Sequence, residues 1–230
     1  MLSSSLLRPV QLLIFEPMCL CLCTFSAILL GILYLFFGSI PLVLGITYQF
    51  SLYQTGLAFL GLMVGMLMAV TTNPLWQRIR SRLIHKYGDE LGMNVDNEPE
   101  FWLPPAIAGA FLVPCGIFIF GWTSQPSIHW IVPIIGIATF GSGNVLVFTG
   151  IWTFLVDAYP QYAASALAAN TLLRCIFAAA FPLFGNQMYE RLGYQWASSL
   201  LGFLTVAMLP APIIFFMYGA RIRKKSRFSA

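Results

Sequence analysis

Apolar residues fall in six long blocks along this chain, at about residues 18–44, 56–72, 105–122, 130–156, 163–189 and 196–218. Within each block the apolar run is continuous and does not alternate, which excludes the strands of a β-barrel. Each block is close to the roughly 20 residues an α-helix needs to cross a bilayer. The pattern predicts an all-α integral membrane protein with six transmembrane helices. The first block follows Arg8 as a secretory leader would follow a basic residue. It runs far past the roughly 7–15 residues of a leader's apolar core, so it reads as a retained span.

The stretches between blocks set the orientation. Six spans put both ends of the chain on one side of the membrane. Arg8, Arg78, Arg80, Arg82, Lys86, Arg221, Arg223, Lys224, Lys225 and Arg227 then share that side, and Arg191 lies on the other. Basic residues in short loops mark the cytosolic face. The expected organisation is a cytosolic segment 1–17, spans at 18–72, a cytosolic loop 73–104, spans at 105–218 and a basic cytosolic tail 219–230. Trp76, Trp102, Trp122, Trp130, Trp196 and Tyr218 sit near block ends, as interfacial aromatics do. The 73–104 loop starts basic and turns acidic through Asp89, Glu90, Asp96, Glu98 and Glu100.

Composition supports the pattern. Apolar residues make up 59% of the chain and charged residues 9%, against about 25% charged in a soluble domain. Twelve Lys and Arg with eight Asp and Glu cannot cover a soluble surface. That excludes a soluble enzyme, a disordered chain and a nucleic-acid binder. No Walker A, Rossmann, HExxH or GxSxG pattern is present, so no enzyme activity and no cofactor are expected. The five cysteines, Cys19, Cys21, Cys23, Cys115 and Cys175, have neither disulfide nor zinc spacing and read as buried thiols. His85 and His129 have no partner at metal-ligand spacing, so no metal site is expected.

Several residues do not belong in lipid. Arg174 lies eleven residues past Ala163, about 16 Å along a helix. A central arginine costs about 2.5–3.5 kcal/mol or more to insert, so it should face the bundle interior or a watery cavity. Asn170 shares its face one turn earlier. Two roles are open for Arg174: a cavity or gate residue, or a structural tie to backbone carbonyls. Asp157 ends the fourth span, where a helix dipole disfavours a carboxylate. A salt bridge to Arg78, Arg80 or Arg82 would compensate it, and a helix cap or hydration is the alternative. Glu16-Pro17 reads as an ordinary helix start. Gly61 and Gly65, and the run Gly141-Ser142-Gly143 before Asn144, are close-packing faces. Pro41, Pro114, Pro133, Pro182, Pro210 and Pro212 predict kinks.

The motifs together resemble a known family. They begin with Arg8-Pro9 through Glu16-Pro17, Gly31-Ile32-Leu33-Tyr34-Leu35-Phe36 with Pro41, and Gly56-Leu57-Ala58-Phe59-Leu60. They continue with Glu98-Pro99-Glu100 and Leu103-Pro104-Pro105-Ala106. The fullest match runs from Asp157-Ala158-Tyr159 through Ala163-Ala164-Ser165-Ala166, Asn170-Thr171 and Arg174 to Phe181-Pro182-Leu183-Phe184. Met188-Tyr189, Leu192-Gly193 and Trp196-Ala197 follow. This set is similar to the C-terminal half of the major facilitator superfamily, in particular the twelve-span fungal drug:proton antiporters of the polyamine and multidrug exporter type.

The resemblance implies that these six helices are the seventh to twelfth of such a transporter, half of its bundle. Its first and fourth spans would line a central cavity. Tyr34, Phe36 and Asn144 become substrate contacts, with Asn170 and Arg174 as cavity or gate residues. Asn73-Pro74 through Arg78 resembles a weak copy of the family's loop motif, which makes Arg78, Arg80 and Asp157 a cytosolic latch. The implied activity is export of drugs, polyamines or similar amphipathic or cationic molecules in exchange for protons, by alternating access in the plasma membrane. The proton-coupling group is expected in the other half, since the spans hold no carboxylate away from their borders. The implied partners are the bilayer, a small organic substrate, protons, and an N-terminal six-span half or a second copy. A nonfunctional or regulatory six-span fragment and a small homodimeric transporter are the alternatives.

Overall fold

The computed structural model describes residues 2–91 and 98–223. Asp96 and the tail residues Lys224, Lys225 and Arg227 lie outside the described residues, as do the side chains of Asp89 and Glu90. The described residues are almost all helical. In order it forms α1 (Leu2–Phe15), α2 (Pro17–Tyr48), α3 (Leu52–Thr71) and α4 (Asn73–Leu91). A 3-10 turn (Pro99–Trp102), α5 (Pro104–Thr123) and α6 (Ile131–Ala158) follow. A second 3-10 turn (Pro160–Tyr162), α7 (Ala163–Met208) and α8 (Pro210–Arg223) complete it.

Local chemistry sets the boundaries. Glu16 holds an extended backbone (φ −112°, ψ 94°) and Pro17 takes the first helical position of α2, where its missing N–H costs nothing. Gln49 closes α2 in the left-handed region, at φ 53°. Ser51 opens α3 with a capping box: its hydroxyl accepts from the Gln54 N–H, and the Gln54 side chain accepts from the Ser51 N–H. Thr72 separates α3 from the polar α4, and the Trp76 indole N–H donates to the Thr72 hydroxyl at 2.9 Å. Pro104 and Pro105 start α5 after the first 3-10 turn.

Five helical segments are long and apolar enough to cross a membrane, the last running 64 residues from Pro160 to Arg223. At 1.5 Å per residue that segment would reach about 96 Å, three times a hydrocarbon core. Gly193 divides it, with φ 77° and ψ 164° inside α7. That backbone is open to glycine and closed to side chains bearing a Cβ. Residues 163–192 make one crossing, and residues 194–208 with α8 make another. The six predicted transmembrane helices are therefore α2, α3, α5, α6 and the two halves of the 64-residue segment.

The bundle is built from close helix pairs: α5 on α6, α2 on the first part of α7, and α3 on the outer side of α6. Small residues make the pairs close. A Cβ on Gly116 would meet the Phe140 N at 2.4 Å, and one on Gly65 the Ala138 carbonyl oxygen at 2.0 Å. The Gly61/Gly65 pair is thus the face α3 presents to α6. The core between the pairs is apolar and includes Phe25, Leu29, Ile32, Phe120, Phe140, Ile151 and Phe154. In contrast, α3 is largely exposed, with Leu57, Leu60, Met63, Val64, Leu67 and Met68 on its outer side. Such residues face hydrocarbon in a spanning helix and need no polar cover.

The expectation of five buried thiols is corrected in part. Cys19 and Cys23 are buried one turn apart on α2 with sulfurs 3.8 Å apart, and Cys21 is half-buried. Cys115 and Cys175 are exposed. Both sit on spanning helices, where an apolar stretch meets lipid as readily as core.

Candidate functional site

Two places in the bundle gather most of the sequence-predicted site residues. The first is at mid-depth. Asn170 and Arg174 lie one turn apart on α7, and Asn144, Phe148 and Trp152 lie one turn apart each on α6. The two helices run in opposite directions from the 159–162 link. Arg174 is eleven residues into α7 and Phe148 ten residues before the end of α6, so both lie about 15–16 Å from that link. The Arg174 guanidinium carbon sits 4.2 Å from the Phe148 ring centroid and 5.1 Å from that of Trp152. Those rings are nearly parallel, 13° apart, with centroids separated by 6.4 Å. Tyr34 of α2 is close enough to Arg174 to act on it electrostatically, and is 46% exposed.

These groups are short of partners. Asn170 is buried, and its side-chain oxygen accepts from the Ser26 hydroxyl of α2. Its Nδ2, both amide atoms of buried Asn144, and the buried Nε of Arg174 have no hydrogen-bond partner among the described residues. Buried polar atoms are ordinarily paired, and each orphan costs about 1–3 kcal/mol. Asn170, Arg174 and Asn144 lie about 10, 16 and 21 Å from the 159–162 link, and three such residues along the middle of the bundle mark a place built to meet something polar.

Of the five residues expected to contact substrate, Tyr34, Asn170 and Arg174 share this region of α2 and α7. Asn144 joins it from α6, one turn beyond Phe148. Phe36 does not belong there. It is 1% exposed and packs against Phe120 and Phe140, centroids 5.2 and 4.8 Å away, because its position on α2 turns toward α5 and α6. Tyr34, two residues earlier, points the other way and meets Phe37 edge-on at 5.8 Å.

The second place is the end of the bundle where α1, α4, the two 3-10 turns and the end of α8 meet. The expected Arg–Asp157 salt bridge is not formed: among the described residues Asp157 makes no ion pair with Arg78, Arg80 or Arg82. Trp102 stands between them. Its indole N–H donates to the Asp157 carboxylate at 2.6 Å, and the Arg80 guanidinium lies 3.9 Å over its ring. Arg78 is exposed and takes no part. Beside this contact, Arg223 at the end of α8 pairs with Glu98 and, at 2.8 Å, with Glu100. Glu100 is buried. Gly219 leaves it room, since a Cβ there would meet the Glu100 Oε1 at 2.6 Å.

Glu16 is more than a helix start. It is buried and accepts from the Tyr159 hydroxyl at 3.3 Å, tying the α1–α2 junction to the α6–α7 link. Burial pushes the Tyr159 phenol well above its ordinary range.

Sequence reasoning missed Phe148, Trp152 and Ser26 at the first place and the bridging role of Trp102 at the second. The Asn144, Phe148, Trp152 spacing of four was a readable signal for one face. Nothing in the spacing could pair Trp102 with Asp157, 55 residues away.

Comparison with known proteins bears on both places. A model of the Major Facilitator Superfamily matches residues 2–182. The chain belongs to the major facilitator superfamily. It is 54% identical over 222 residues to efflux pump atB of Aspergillus terreus, covering 96% of this chain and 47% of that protein. It is 43% identical to the probable drug/proton antiporter YHK8 of Saccharomyces cerevisiae, covering 96% of this chain and 42% of that protein. It is 45% identical to the multidrug transporter mdrA of Aspergillus fumigatus, covering 99% and 36%. The chain thus spans less than half the length of these relatives. No solved structure matches it at a significant level. As a superfamily member it is a multi-pass membrane protein with the family's helical bundle.

Proposed function

We propose that the protein forms half of a secondary transporter that exports small organic molecules in exchange for protons by alternating access. The observation that carries this is the mid-depth region of Arg174, Asn144 and Asn170, where the Arg174 Nε, both Asn144 amide atoms and the Asn170 Nδ2 are buried without partners among the described residues. A charge kept about half a membrane deep is costly and is retained where it contacts substrate, ions or a gate. Two bundles rocking about a site at the bilayer midplane are the general arrangement of such transporters. The relatives named efflux pump and probable drug/proton antiporter support the same class. Tyr34, Asn144, Asn170 and Arg174 are assigned to substrate, with the aromatic faces of Phe148 and Trp152 beside them.

The gate is assigned to Arg80, Trp102 and Asp157. The other wall of the cavity would come from a second six-span bundle, either elsewhere in a longer polypeptide or a second copy of this chain. The exposed apolar residues Leu172, Ile176, Leu183 and Phe184 on α7 suit such cover. Both ends of the bundle's basic side are assigned to the cytosol of a plasma-membrane protein; glycosylation of a tag placed among residues 78–86 would overturn that orientation.

The test of function is proton-gradient-driven movement of an amphipathic dye across membranes containing the protein, scored per folded molecule. Arg174→Leu is expected to lower that rate more than it lowers folded protein. A normalised rate equal to wild type removes Arg174 from the site.

A further inference from the structure

We propose that the Arg174 region takes the carboxylate of a flat aromatic acid, so that the site selects for organic anions. The inference rests on the reading of this region as the substrate site and narrows it to one chemical class.

The argument starts from charge. Each Asp and Glu among the described residues lies in a loop or within a few residues of a helix end or of the Gly193 break. Among the described residues no carboxylate pairs with Arg174; Glu98 and Glu100 are held by Arg223. The Arg174 Nε is buried without an acceptor among the described residues. At that depth the surroundings screen poorly, so a like charge is repelled and an unlike charge attracted far more than at a surface. A cationic solute is disfavoured there and a single negative charge is favoured.

Shape narrows the class further. The Arg174 guanidinium carbon lies over the Phe148 and Trp152 rings, 4.2 and 5.1 Å from their centroids. The apolar rings accept no N–H bond in the plane of the guanidinium, and a carboxylate matches its fork of N–H groups in two parallel bonds. The unpaired Nδ2 groups of Asn170 and Asn144 are further donors, one on each side of Arg174 in depth. The exposed rings of Trp152 and Tyr34 offer flat apolar faces beside the charge, which suit an aromatic ring in offset contact. One arginine balances one carboxylate; a phosphate of nearly two charges would be left half compensated.

The experiment labels arginines with phenylglyoxal in native membranes that contain the protein, and reads modification of Arg174 by mass spectrometry. Three matched probes are added in turn: 2-naphthoate, 2-naphthamide and 2-naphthylmethylamine. The expected result is that naphthoate protects Arg174 at concentrations about tenfold lower than the amide, the worth of one charge-assisted pair, while the amine gives no protection. Equal protection by all three overturns the anion inference and leaves the region as a site for organic solutes. Protection by none overturns the substrate reading and the inference with it. An Arg174 that resists labelling with and without probe is closed to solutes, and the solute inference falls.

Discussion

Trp102 separates two charges that were expected to touch, and that arrangement can be tested by substitution. Trp102→Phe keeps a ring under Arg80 but removes the N–H that donates to Asp157 at 2.6 Å. A hydrogen bond to a charged group is worth about 1.5–3 kcal/mol when protected. Asp157 is exposed, which lowers the expected cost to about 1 kcal/mol. Trp102→Leu also removes the ring that Arg80 covers at 3.9 Å, adding about 0.5–1 kcal/mol. The two variants should therefore differ in equilibrium unfolding, followed by circular dichroism in mixed micelles, with Leu the worse by about that amount. The decisive measurement is a double-mutant cycle of Arg80→Gln and Asp157→Asn. With Trp102 present the two sites should couple by about 0.5 kcal/mol, and in the Trp102→Leu background the coupling should vanish. Coupling that survives loss of the ring would mean a direct arginine–carboxylate interaction and would refute the bridging role.

Arg223→Gln strips the partner from buried Glu100 and from Glu98, and breaking a buried pair costs about 3–5 kcal/mol; proteolysis should then release the end of α8 well before the bundle unfolds, and protease resistance equal to wild type would count against the clamp. Gly65→Ala places a Cβ 2.0 Å from the Ala138 carbonyl oxygen, so α3 must move off α6 at a cost of about 1–3 kcal/mol, read as a lower melting temperature; an unchanged one would contradict the contact. Tyr159 has its ionisation raised above the ordinary value of 10.0 by burial, so the unfolded phenol ionises first and stability falls as pH rises above about 10. Tyr159→Phe should flatten that alkaline loss in a comparison of melts at pH 8 to 11, and parallel curves would argue against it.

The membrane class, the helical fold and the number of spans were legible from the chain alone. Continuous apolar blocks of bilayer length can satisfy their backbone only as helices, whatever lies around them. Helix starts at Pro17 and Ser51 are local chemistry, readable for the same reason. Arg174 was also legible, because a charge inside an apolar block violates the pattern on its own. What surrounds it was not. Which face of α2 turns inward separates Tyr34 from Phe36, two residues apart, and that rotation is set by where α5, α6 and α7 pack. Opposite charges at one membrane edge made a salt bridge the natural expectation for Asp157. The fold instead brings Trp102 into the gap, since the 3-10 turn at 99–102 sits against α4 and α6 together. Glu16 reads as a helix start in sequence and becomes a buried partner of Tyr159 only when α1 and the α6–α7 link close over it. Local pattern decides which residues form helices and how deep each one lies; contacts between residues more than 50 positions apart depend on packing angles that no local pattern carries.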